Sequence, residues 1–167
     1  MIKMTRPRIA VILGSDSDLP VMEEGLKVLK DFKVPFELKI MSAHRSPALV
    51  HDFAKSAEKN GIKVVIAAAG GAAHLAGVIA SMTRLPVIGV PMETRSLDGM
   101  DSLFSTVQMP YGVPVATMAI GKSGAKNASI FALQILGLSD NKIAGELNAF
   151  KKRLEADVIA KNKKLKL

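Results

Sequence analysis

The chain has no cysteine and no tryptophan, and its 167 residues include a single tyrosine. Without thiols it can build neither a disulfide framework nor a thiolate metal site, which fits a reducing compartment. So few aromatics, with no interleaving of basic and aromatic residues, argue against specific nucleic-acid binding despite a net charge of +8. Much of that excess gathers late, with eight Lys or Arg against three Asp or Glu from Lys142 onward, as on a solvated helix face. A long uninterrupted hydrophobic run is also missing. The nearest approach, Val64 to Met82, contains Gly70-Gly71 and His74 and reads as a buried strand, a turn and a helix, not a membrane span. Lys3, Arg6 and Arg8 precede the short Ile9 to Leu13 run, and Ser-Asp-Ser-Asp follows it, unlike a signal peptide. Internal repeats and interdomain linkers are absent. These features predict a soluble, cytoplasmic chain that binds neither membrane nor nucleic acid.

What is present is a hydrophobic content of 49%, enough to fill the core of one ordinary domain. We expect a single catalytic domain over 1–167, with its core at about 8–138 and a C-terminal helix at about 139–164. Ile9 to Leu13, Phe36 to Met41, Val64 to Ala69, Pro86 to Val90 and Val113 to Ala119 read as strands. Between them, Met22, Leu26 and Leu29 recur at helical spacing, as do Leu75, Val78, Ile79 and Met82. Ser46 as N-cap and Pro47 as first residue open a helix facing its core with Val50, Phe53, Ala54 and Ala57 and ending at Gly61. Strands alternating with helices predict a parallel sheet covered on both faces.

The connection from Pro91 to Gly112 is long and rich in Gly, Ser, Asp and Met, and is expected to cover a crevice. Ala128 to Leu136 is apolar on nearly every side and reads as buried between subunits. After Gly137, a Ser139 N-cap opens a last helix with Ile143, Leu147, Phe150, Leu154 and Val158 on one stripe, as if for a partner chain.

Three polar clusters each follow a strand: Gly14-Ser15-Asp16-Ser17-Asp18, Ser42-Ala43-His44-Arg45-Ser46-Pro47 and Gly70-Gly71-Ala72-Ala73-His74. In an open parallel sheet, loops leaving the carboxyl ends of strands converge on one crevice, so these clusters mark a site for a small anion. The first offers hydroxyl and backbone donors at a helix N-terminus, either for phosphate or as a simple capped turn. Asp18 suits a ribose hydroxyl better than a phosphate. Arg45 brings a bidentate fork for phosphate, and His44 belongs to the residue type that titrates near neutrality. Gly70 to Ala73 carry nothing larger than a methyl, which either admits a ligand to the backbone or packs helix on strand. His74 either caps the next helix or touches the ligand. His51 lies inside a helix and reads as structural. No ligand spacing for a metal is apparent. Gly121-Lys122-Ser123 imitates the end of a P-loop, but Ala116 stands where its first glycine is required.

Taken with Asp101-Ser102-Leu103-x-Ser105-x-Val107-Gln108-Met109-Pro110, the clusters Gly14-Ser15-x-Ser17-Asp18, Ser42-Ala43-His44-Arg45 and Ala69 to Leu75 resemble the N5-carboxyaminoimidazole ribonucleotide mutases of purine biosynthesis. The similarity runs in order from about residue 8 to 155; Ala76 departs from it, standing where the family more often has proline. The resemblance implies a flavodoxin-like three-layer αβα sandwich, assembled as a homo-octamer with active sites between subunits and without metal or organic cofactor. It implies that Ser15, Ser42 and Arg45 hold the phosphate of a small ribonucleotide and Asp18 its ribose. Ser17 and the loop Gly70, Gly71, Ala72, Ala73, His74 and Leu75 would surround the aminoimidazole and its carboxylate, His44 would transfer the proton, and residues 101–110 would help to close the pocket. A related carboxylase, which takes carbon dioxide directly, usually has lysine after the histidine and a different glycine loop. A non-catalytic phosphosugar-binding module would not need His44.

Overall fold

The computed structural model describes residues 6–165; Lys3 and the last two residues of the expected domain lie outside them. Five strands, β1 (Ile9–Leu13), β2 (Phe36–Ile40), β3 (Val64–Ala69), β4 (Val87–Pro91) and β5 (Ala116–Thr117), form one parallel sheet in the order β2-β1-β3-β4-β5. That order, with interleaved helices, is the flavodoxin-like arrangement. β1 and β4 are buried along their whole length and β3 along all but its last residue, which explains their unbroken apolar runs. β2 is an edge strand, with Leu38 and Ile40 exposed.

The helices are α1 (Leu19–Asp31), α2 (Pro47–Ser56), α3 (Leu75–Ala80), α4 (Met100–Val107), α5 (Gly121–Gly137) and α6 (Asn141–Lys164). Met22, Leu26 and Leu29 of α1 are buried, as are Val50, Phe53 and Ala54 of α2, as their spacing predicts. α1 meets α5 closely: a Cβ on Gly25 would lie 2.5 Å from the Ala125 carbonyl oxygen, and Glu24 pairs with both Lys27 and Lys126. The Lys27 hydrogen bond is the main reason that the Glu24 carboxyl falls to a pKa of about 2.

Several local expectations are corrected. α2 stops at Ser56, and hydrogen-bonded turns carry the chain to Gly61, whose φ of +98° reverses it. β5 covers two residues instead of seven, because Pro114 has no N–H to offer the sheet and Gly112 turns the chain at φ +92°. The long connection after β4 is not all loop, since it contains α4. In α5, Ala125, Ala128, Ser129 and Ala132 are buried within the single chain, while Phe131 on the other face is exposed. Asp140, not Ser139, caps α6, accepting from the Lys142 and Ile143 amides.

The chain divides into two compact units, one up to Ala132 and the other from Leu133 on. In the second, Ile143 and Leu147 are buried, but Leu154, Val158 and Ile159 farther along α6 are half exposed. Among the described residues, no helix is long and apolar enough to cross a membrane.

Candidate active site

The carboxyl ends of the strands are tied to one another one residue past the sheet. Gly14 N–H donates to the Ala68 carbonyl at 2.8 Å, Met41 N–H to that of Leu13 at 2.9 Å, and Met92 N–H to that of Ala69 at 2.9 Å. The four loops that follow therefore leave from a fixed rim, and they line one cavity of about 460 Å³.

The first loop is a capped turn whose polar groups also face this cavity. Ser15 accepts from the Ser17 amide at 3.3 Å and from the Ser17 hydroxyl at 2.9 Å, while its own amide donates to Asp18 Oδ2 at 3.1 Å. Asp18 is buried, and that burial raises its pKa despite the Ser15 amide and the Arg45 charge, which oppose the rise.

In the second loop, Ser46 does not cap α2 with its side chain, as expected of it. Its hydroxyl accepts from the Ser42 amide at 2.9 Å and donates to the Ser42 carbonyl at 3.1 Å, which pins Ser42 in place. Ser42 Oγ in turn accepts from the Arg45 amide at 3.2 Å and from Arg45 Nε at 3.4 Å. Arg45 Nη2 reaches across to the Gly14 carbonyl at 3.1 Å, so the guanidinium joins the first loop to the second. It also lines a shallower neighbouring depression with Ser15, Ser42 and Ile40.

His44 meets His74 of the third loop, Nε2 to Nδ1, at 2.9 Å, with the rings edge to face. One ring nitrogen donates and the other accepts, so the pair shares a proton position within the cavity wall. His74 makes no side-chain cap to α3; its ring bonds His44 instead. Among the described residues, no group of three or more His, Cys, Asp or Glu is placed to hold a metal ion.

Of the residues singled out from sequence, Ser15, Ser17, Asp18, Ser42, His44, Arg45, Gly70, Ala72, His74 and Leu75 line the cavity. Gly71 and Ala73 do not; their N–H groups, which the glycine-rich sequence offers to a ligand, donate to Ser102 Oγ and Ser105 Oγ, both at 2.9 Å. Ser102 and Ser105 accordingly stand behind the third loop, and residues 101–110 do not line the cavity of the single chain. Met92, Glu93 and Thr94 do line it and were missed. The signal was present, since they follow β4 just as the three recognised clusters follow β1, β2 and β3.

The cavity thus sets hydroxyls and a guanidinium at the exits of β1 and β2 beside an imidazole pair and a wall of small residues at the exit of β3. Such a set can hold an anion, grip a sugar hydroxyl and move a proton in one ligand.

Over most of its length the chain is similar to known proteins. It is 52% identical over 155 residues to the N5-carboxyaminoimidazole ribonucleotide mutase of Pyrococcus abyssi, covering 93% of this chain and 88% of that one. It is 54% identical over 155 residues to the phosphoribosylaminoimidazole carboxylase of Candida albicans, of which it spans only 27%. The crystal structure of Treponema denticola PurE superposes with a TM-score of 0.87 at 28% identity, over 97% of this chain and all of that one. Residues 8–157, from the start of β1 to well into α6, match the family described as AIR carboxylase, and the chain belongs to that family.

Proposed function

We propose that the protein is a mutase of purine biosynthesis, converting N5-carboxyaminoimidazole ribonucleotide to 4-carboxy-5-aminoimidazole ribonucleotide. The relatives that match this chain over most of their own length carry that name. The observation that carries the reading is the single cavity in which anion donors and the His44–His74 pair face a wall without bulky side chains.

Ser15, Ser42 and Arg45 take the phosphate in this reading, and Asp18 the ribose. Ser17, Gly70, Ala72, His74 and Leu75 surround the aminoimidazole and its carboxylate, with Gly71 and Ala73 contributing the shape of the loop. The carbamate carbon–nitrogen bond breaks as carbon dioxide separates, and the nitrogen takes up a proton from protonated His44, which the C4 proton later restores. C4 of the ring then attacks the carbon dioxide, forming the new carbon–carbon bond, and His44 removes the C4 proton. Protons balance over the cycle. These steps use the substrate and the chain's own groups, with no cofactor.

Water must be kept out, because free carbon dioxide would escape and the carbamate would decay. His44, Arg45 and His74 are exposed in a single chain. A second copy covering them completes the pocket, and a homo-octamer with sites between subunits supplies one. We take the chain as one catalytic domain acting in the cytoplasm, with the exposed distal half of α6 serving assembly.

The test is the source of the carbon. Given the carbamate nucleotide without bicarbonate, the protein should form the C4 carboxylate faster than spontaneous decay proceeds, and labelled carbon dioxide in the medium should enter product only slowly. Recapture beside C4 benefits from a high effective concentration, so it should outrun escape. Rapid labelling, or failure to consume the carbamate nucleotide, would instead support a carboxylase that takes carbon dioxide directly.

A further inference from the structure

α4 is amphipathic in the reverse of the usual sense. Asp101, Ser102, Ser105 and Thr106 face inward, with Ser102 and Thr106 buried, while Met100, Phe104 and Val107 are 43%, 56% and 46% exposed. A polar inner face must be hydrogen-bonded to be stable, and here its partners belong to the site. Ser102 Oγ accepts from the Gly71 amide at 2.9 Å. Ser105 Oγ accepts from the Ala73 amide at 2.9 Å, and it lies 3.1 Å from the Gly71 carbonyl and 2.7 Å from that of Asp101, its two nearest acceptors. Thr106 Oγ1 lies 3.4 Å from the Ala73 carbonyl. Asp101 Oδ1 accepts from Thr94 Oγ1 at 2.8 Å, which fixes the neighbouring wall residue.

The loop held in this way carries nothing larger than the buried Ala73 methyl to anchor it, and Gly71 sits at φ +68°, where an added Cβ would meet nothing. Within the loop the Ala73 amide also reaches the Gly71 carbonyl and the His74 amide that of Ala72, both at 2.8 Å, but these tight turns leave the glycines free to swing the loop as a whole, since glycine gives up the most freedom on ordering. What ties the loop to the neighbouring element is α4. We propose that Ser102 and Ser105 are positioning residues of the reaction: by binding the Gly71 and Ala73 amides they hold the loop as the wall that keeps released carbon dioxide beside C4. The proposal rests on the mutase reading. It assigns these serines to retention of the intermediate, while substrate binding stays with the first two loops.

The experiment compares wild type, Ser105→Ala and Ser102→Ala on the carbamate nucleotide, measuring C4 carboxylate formed and aminoimidazole ribonucleotide released per substrate consumed. A leaked turnover breaks the carbamate bond, takes one proton onto nitrogen and loses carbon dioxide to the medium, so the decarboxylated nucleotide counts it. The released fraction should rise about tenfold or more, since misplacement by ~1 Å at a reacting centre costs up to ~10² in rate. KM should move much less than kcat for the C4 carboxylate. Gly25→Ala, which crowds Ala125 away from this loop, is the control and should lower the thermal midpoint without leakage. If an alanine variant does not fold, Ser105→Cys keeps the size with a weaker acceptor and should leak to an intermediate extent. Leakage unchanged from wild type in the folded serine variants, or equal leakage in Gly25→Ala, would overturn the proposal. A wild type that fails to convert the carbamate nucleotide would overturn the mutase reading instead.

Discussion

His44 and His74 leave different strands and meet at 2.9 Å, so the loops after β2 and β3 are joined through two imidazoles in the wall of one cavity. Substitution of either ring breaks the bond, but only His44 is assigned the C4 proton. His44→Asn is expected to reduce turnover by ~10² to 10⁴, the range for losing a general acid or base, with nucleotide affinity retained. His74→Asn should cost less. Steady-state kinetics with calorimetry on both variants checks this, and near-normal turnover in His44→Asn would remove it from the mechanism.

Arg45→Ala should weaken nucleotide binding by about 1.5 to 3 kcal/mol, the range for a hydrogen bond to a charged group, and saturated turnover should fall less than affinity. The dephosphorylated nucleoside separates phosphate binding from the bridge that Arg45 makes to Gly14. Equal nucleoside binding by both proteins, with nucleotide binding reduced, is the expected result. No change for either ligand would show that Arg45 does not hold the phosphate.

Asp18 titrates higher in the folded chain than its ordinary 3.8, chiefly through burial. Its ionised form is therefore less well accommodated folded than unfolded. The cost is absent below the ordinary pKa and grows as pH rises through the folded one. Asp18→Asn, which can still accept from the Ser15 amide, should have a higher thermal midpoint relative to wild type at neutral pH than in acid, while binding nucleotide more weakly. A midpoint difference independent of pH would contradict the assigned burial cost.

Deleting residues 139–167 removes α6 with Ile143, Leu147, Phe150 and Leu154, each worth about 1.5 to 3 kcal/mol when fully buried. Light scattering should report smaller species or aggregates. An intact octamer of unchanged thermal stability would show that α6 does not hold the assembly.

Sheet and site were legible in sequence to the extent that their signals were local. β1 and β3 read out to the residue because buried parallel strands are continuous apolar runs. The first and third loops read out because each begins where such a run ends, and the second because its polar cluster closes the mixed β2 segment. α4 was illegible for the opposite reason: its apolar residues face outward and its serines inward, so its pattern imitates a polar loop. The fate of Ser46 was hidden too, since a serine before Pro47 looks like a cap whether its hydroxyl turns toward the helix or back to Ser42. Val113 to Ala119 has strand composition, but Pro114 and Gly112 limit what the edge of β4 can pair.

The close approach of Gly25 to Ala125 bears on the order in which the chain folds. β1, β2 and β3 and the helices between them are made early, yet the flank of α1 at Gly25 has no cover until α5 is synthesised. Contacts so distant in sequence form late and slow folding, because a large loop must close before they are rewarded. A nascent chain paused before Ala125 therefore holds all four cavity loops with that flank of α1 still bare, open to chaperones or to other unfinished copies.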